Sequence, residues 1–133
     1  MKLTTKSEYS LLALVYLARH QKEGFIKIER ICTHFGISKK YLEFLLTTLK
    51  QSRYVKTRRG AAGGYSLAKP AREITMAEII RLMDGALAPT ESVSQYFFSE
   101  TLLSKEKKIM NVFKEIRDYV ASRLESLTLA DLV

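Results

Sequence analysis

Apolar residues recur in this chain at two different periods, and the point where the period changes separates its parts. Leu11, Leu14, Val15, Leu17 and Ala18 fall three and four residues apart, the spacing of a helix with one face in a core, until Gly24 interrupts them. Ahead of that stripe, Thr5-Lys6-Ser7-Glu8 has the Ser/Thr-x-x-Glu spacing in which a hydroxyl and a carboxylate each satisfy a free amide, so a first helix is predicted to begin there. A shorter helix is predicted over 28–35, with Ile31 and Phe35 turned inward and Gly36 ending it. Gly36-Ile37-Ser38 then reads as a tight turn into a third helix, with Ser38 as N-cap and Leu42, Leu45, Leu46 and Leu49 as its buried stripe. Two helices joined by a three-residue turn form a helix-turn-helix, whose second helix can enter a major groove.

After Gln51 the pattern alternates. Tyr54-Val55-Lys56-Thr57 and Tyr65-Ser66-Leu67 flank Arg58-Arg59-Gly60-Ala61-Ala62-Gly63-Gly64, which predicts a β-hairpin with a basic, glycine-rich tip. A phosphate-cradling loop is excluded, because the Gly-Lys-Ser/Thr ending is missing and a strand follows where a helix would be needed. Beyond Lys69-Pro70, a second box, Thr75-Met76-Ala77-Glu78, opens a helix through Ile79, Ile80, Leu82 and Met83 that stops at Asp84-Gly85. Residues 86–103 read as a loop, in which Tyr96, Phe97 and Phe98 are expected to pack against something. From about Ser104 to Leu127, Ile109, Val112, Phe113, Ile116, Val120, Leu124 and Leu127 share one seam of a helix about 35 Å long. A helix of that length outreaches so small a domain, so its seam is expected to pack on a second copy; folding back on its own domain is the alternative.

The expected fold is therefore mainly α with a small β-hairpin wing: a winged helix-turn-helix over 1–85, a connecting loop region over 86–103, and a dimerisation helix with a C-terminal turn over 104–133. At 133 residues and 47% apolar content the chain has enough for one core without disulfides. The single Cys32 allows no internal disulfide, the opening residues are too polar for a secretory leader, and the best apolar run, Leu11 to Ala18, is too short to span a membrane. A cytoplasmic protein is expected.

Charge sharpens this picture. Residues 1–75 carry fifteen Lys and Arg against five acids, whereas residues 76–133 carry seven against nine. A basic front half joined to a near-neutral back half implies a polyanion-binding module carried by something that assembles or senses.

Five stretches together resemble one family of bacterial winged-helix regulators, the Rrf-two (Rrf2) family, over nearly the whole chain. They are Met1-Lys2-Leu3-Thr4-Thr5-Lys6 with Tyr9, Gly36-Ile37-Ser38 with Tyr41-Leu42-Glu43, Arg59-Gly60-x-x-Gly63-Gly64-Tyr65-x-Leu67, Ile74-Thr75 with Glu78-Ile79-Ile80, and Leu129-Ala130-Asp131-Leu132. The resemblance implies a homodimer with crossing long helices, bound to an inverted-repeat operator in double-stranded DNA, usually as a repressor. Cluster-sensing members place three cysteines before the long helix; here residues 86–104 offer only Glu91 and Glu100, hard oxygen donors unsuited to an iron–sulfur cluster. No cofactor is expected, and the signal stays open between a protein partner, a small effector, thiol oxidation and no bound effector at all.

The leucine stripe of the third helix leaves Lys39, Lys40, Glu43, Phe44 and Thr47 outward. Lys39 and Lys40 suit phosphate or a guanine edge, and Ser38 and Tyr41 suit phosphate. Glu43 either accepts from cytosine N4, as the resemblance implies, or pairs with Lys39 or Lys40. Phe44 offers only apolar contact, such as to a thymine methyl, and predicts an operator preference of its own. Arg58 and Arg59 at the wing suit a narrow minor groove. Cys32 and His34, two apart on a helix, point to different sides and cannot readily share a metal with each other, and His20 adds no ligand pattern. No nucleophile–base pattern appears, so no enzyme is expected. The rival from another class is a winged-helix adaptor whose basic face meets an acidic protein, and non-specific nucleoid binding is a third possibility.

Overall fold

The computed structural model describes all residues, Met1–Val133. Helix α1 (Thr5–Arg19) begins where expected but not by the expected cap. Thr4 is the N-cap, its hydroxyl accepting the Lys6 amide at 3.2 Å. The reason is tertiary: the Thr4 amide and hydroxyl both donate to the Asp84 carboxylate, at 2.8 and 2.5 Å, while the Thr5 hydroxyl lies 3.1 Å from that of Tyr41. Helix α2 (Ile28–Phe35) ends at Gly36, whose φ of 70° is left-handed and whose amide donates to Cys32 O at 2.8 Å. Helix α3 (Lys39–Gln51) starts on Ser38, whose hydroxyl accepts the Tyr41 amide at 3.3 Å. Leu42, Leu45, Leu46 and Leu49 are fully buried along its inner face.

Strands β1 (Val55–Arg58) and β2 (Gly64–Leu67) pair antiparallel, with Val55 opposite Leu67 and Arg58 opposite Gly64. Ile26 adds one further antiparallel rung to β2, exchanging both backbone hydrogen bonds with Tyr65 at 2.8 Å. Helix α4 (Met76–Asp84) opens with the predicted reciprocal box: the Thr75 amide donates to Glu78 at 2.7 Å, and the Glu78 amide to the Thr75 hydroxyl at 3.2 Å. Leu82 in that helix stays at the surface. One core joins α1, α2, α3, the hairpin, Ile74, Ile79 and Leu129.

The rest departs from expectation in three ways. First, Tyr96, Phe97 and Phe98 do not pack inward; they are 70, 46 and 63% exposed. The smaller Leu87, Ala88 and Val93 fill the available space, and the Tyr96 ring meets the Arg81 guanidinium at 4.8 Å. Second, the last long helix, α5 (Lys107–Ser126), starts later than Ser104, because Leu102–Lys105 forms a 3-10 turn. It is about 30 Å long at ~1.5 Å per residue. Third, its apolar seam divides. Phe113 packs on Ala88, Val93 and Met110, and Val120 and Leu124 pack on Ala77, Ile80 and Leu87, whereas Ile109, Val112 and Ile116 remain 43, 54 and 44% exposed. After α5 the chain returns to the winged helix: the Met76 amide donates to Leu127 O and the Leu129 amide to Ile74 O, both at 2.9 Å, and Leu129 is fully buried.

Candidate nucleic-acid interface

The outer face of α3 is assembled from its cap outward. Lys39, Lys40, Glu43, Phe44 and Thr47 are all exposed. The Lys39 ammonium lies 3.2 Å from Glu29 of α2, which raises the lysine pKa by a side-chain hydrogen bond. The Glu29 carboxyl is lowered, first by its own backbone hydrogen bond and then by Lys39. That pair is solvent-exposed and therefore weak, leaving Lys39 free to exchange it for phosphate. Glu43 forms no ion pair, so the alternative of an intrahelical pairing with Lys39 or Lys40 is not realised. Its side chain is exposed to solvent.

Tyr41 and Phe44 form one unit. Their rings stack at 6.4 Å with 14° between planes, the edge of Tyr9 meets Tyr41 at 5.8 Å, and Tyr41 Oη contacts Thr5. Phe44 is nonetheless 56% exposed, which leaves part of its ring open to an apolar contact. Thr47 returns its hydroxyl proton to Glu43 O at 2.8 Å, and its oxygen keeps a lone pair for a donor.

The wing is held close by backbone. A Cβ on Gly63 would stand 2.1 Å from Arg58 O, and one on Gly64, where φ is 142°, 2.3 Å from Ile26 O. Only glycine lets the loop turn so tightly against its own strand and the Ile26 rung. Arg58 lies 4.5 Å over the Phe25 ring, which aims it, and Arg59 projects from the tip into solvent. The Lys27 ammonium donates to Gly60 O at 2.9 Å and pins the loop. Phe25 and Lys27 were missed by sequence reasoning. Their only signal was the short alternation Phe25-Ile26-Lys27 after Gly24, too brief to read as a strand alone.

A polar, cation-bearing second helix of a helix-turn-helix, with a basic hairpin braced beside it on a common core, defines a winged-helix module of the DNA-binding class. A family model described as Rrf2, an iron-dependent transcriptional regulator, matches residues 3–133. The transcriptional regulator CymR of Bacillus subtilis is 35% identical over 132 residues, covering 99% of this chain and 89% of that protein. IscR of Photorhabdus laumondii is 31% identical over 134 residues, covering 100% and 79%. The solved structure of B. subtilis CymR, called there the global cysteine regulator, superposes with a TM-score of 0.86 at 34% identity, covering 99% of this chain and 95% of that one. That of T. potens IscR gives 0.76 at 32%, covering 99% and 85%. The chain belongs to the Rrf2 family of DNA-binding transcriptional regulators.

The iron in the family description can be tested against the donors present. Nowhere do three His, Cys, Asp or Glu side chains converge as a metal site. Cys32, the sole thiol, is half-buried on α2, and burial pushes its pKa up, away from the thiolate that binds iron. The residues do not fit an iron–sulfur cluster. No helix is long and apolar enough to cross a membrane.

Proposed function

We propose that this protein is a cytoplasmic repressor that binds an inverted-repeat operator as a homodimer and works without an iron–sulfur cluster. Residues 1–85 read DNA, 104–133 assemble the dimer, and 86–103 connect them. The observation that carries this reading is that one chain combines an open α3 face with an uncovered aliphatic row, Ile109, Val112 and Ile116, along α5. An exposed row of that kind needs a partner, and a second copy offers a self-complementary one. An apolar cavity of about 300 Å³ next to it, lined by Met1, Leu3, Ala88, Pro89, Ile116 and Val120, gives a facing side chain a place to enter.

In the complex, Ser38, Lys39, Lys40 and Tyr41 contact phosphate and set register. Glu43 accepts from cytosine N4, Phe44 meets a thymine methyl, and Thr47 completes the groove face. Arg58 and Arg59 enter the adjacent minor groove. Two such heads are expected in successive major grooves about 34 Å apart. Equilibrium sedimentation together with footprinting on the protein's own promoter fragment, against scrambled DNA, tests the reading. A dimer protecting a palindrome supports it; a monomer, or equal affinity for both DNAs, refutes it. Capture of an acidic protein by a chain that ignores the palindrome would favour an adaptor.

A further inference from the structure

The C-terminal end of α3 carries a feature that groove reading by its N-terminal half does not use. Arg53 has a φ of 65°, the only non-glycine residue in the left-handed region. Its amide donates to Lys50 O at 3.0 Å, and the amide of Tyr54 donates to Leu49 O at 2.9 Å. These are the paired bonds of a Schellman ending, whose left-handed position is ordinarily glycine. An arginine there strains its backbone. What it supplies in exchange is a guanidinium at an open cleft of about 650 Å³, where Lys50, Arg53, Lys56 and Lys69 gather and no acid is among the lining residues.

None of these four cations is in an ion pair. Lys69 lies 4.7 Å from the Tyr54 ring, and Lys56 lies 5.9 Å from Phe25, the ring that also supports Arg58. The cleft therefore continues along β1 into the wing tip as one track of positive charge. Like charges gathered without counter-charges repel one another, a cost removed when a polyanion arrives.

We infer that this cleft grips the phosphate backbone of duplex DNA flanking the segment read by α3 and the wing. The inference rests on the operator reading above and extends it. DNA is favoured over an acidic protein because the track is continuous with Arg58 and Arg59, and because the cleft lacks the aromatic or large aliphatic anchors that protein interfaces use. Phosphate binding of this kind is blind to sequence and steep in salt.

The test uses the full-length protein and two duplexes, the footprinted operator alone and the same operator extended by about ten base pairs on each side. Scrambled versions of both accompany them, and binding is followed by fluorescence anisotropy across salt. Wild type is expected to bind the extended duplex more tightly and with a steeper salt slope. In Arg53→Gly and in Lys50→Gln/Lys69→Gln the extended-duplex slope should fall by about 1 for each phosphate left without its cation, with the short operator unaffected. Arg53→Gly should also raise the melting temperature, since glycine relieves the left-handed strain, so weaker binding cannot be misread as unfolding. Equal salt slopes for wild type and variants on the extended duplex would overturn the inference. So would equal losses on both lengths, or unchanged DNA binding with loss of retention on immobilised polyglutamate. Failure of the operator reading is separable: it shows as equal affinity for operator and scrambled DNA, while the length effect persists on both.

Discussion

The front and back of the chain hold similar apolar side chains and use them differently. Through Asp84, every leucine of the α3 stripe, Leu14 and Leu17 of α1, and Ile79 and Ile80 of α4 are buried, and all of these but Leu45 and Ile80 share one core. Between Tyr96 and Ile116, by contrast, Tyr96, Phe98, Leu102, Val112 and Ile116 remain in solvent. The first region satisfies itself and must be rigid to aim a helix; the second leaves apolar surface that a partner has to cover.

That contrast can be broken most severely in the front half. Leu46→Ala deletes a fully buried side chain at the centre of the α3 stripe and should cost about 2–5 kcal/mol, read from urea unfolding. Ile116→Ala, in the exposed row, should leave monomer stability nearly unchanged and weaken self-association by about 2 kcal/mol, read by sedimentation. If both variants lost the same folding stability, the two regions would not differ as described.

Much of the front half was readable because local and long-range preferences agree there. Ser38 caps α3, Thr75 and Glu78 box α4, and Gly36 stops α2, each within a few residues of the pattern that announces it. What failed depended on partners far along the chain. Thr4 displaced Thr5 as the cap of α1 because Asp84, eighty residues on, binds it. The seam of α5 looked uniform by period, yet α4 and the 87–93 segment take Val120, Leu124 and Phe113 and leave Ile109, Val112 and Ile116. The candidate site divides likewise. The outward residues of α3 follow from its leucine period, but Phe25 and Lys27, which steady the wing, come from a segment with no periodic signal.

The wing sharpens the contrast at smaller magnitude. Gly64→Ala forces a Cβ against Ile26 O and should cost about 1–3 kcal/mol in stability, read by thermal melting, with a parallel loss of operator affinity. Arg59→Ala touches nothing in the fold and should weaken operator binding by at least ~1 kcal/mol with the melting temperature unchanged. Unchanged affinity at physiological salt would remove the wing from the interface.

The smallest effect lies within the front region, where the end of α4 meets the start of α1. Burial raises the Asp84 carboxyl pKa, but the Thr4 hydroxyl and amide that donate to it outweigh burial, and the group sits below its ordinary value. An acid whose pKa is lower folded than unfolded binds fewer protons when folded, so its stabilising contribution is complete above the unfolded value. That contribution is lost as pH falls from about 4 through the lowered folded value. Thermal melts at successive acid pH values should show this loss in the wild type, amounting to less than ~1 kcal/mol for so accessible a group. Asp84→Asn should be less stable at neutral pH and should lack that increment of acid sensitivity. A variant with the same pH profile as wild type would mean that the link from α4 to the start of α1 contributes nothing to the stability of the front region.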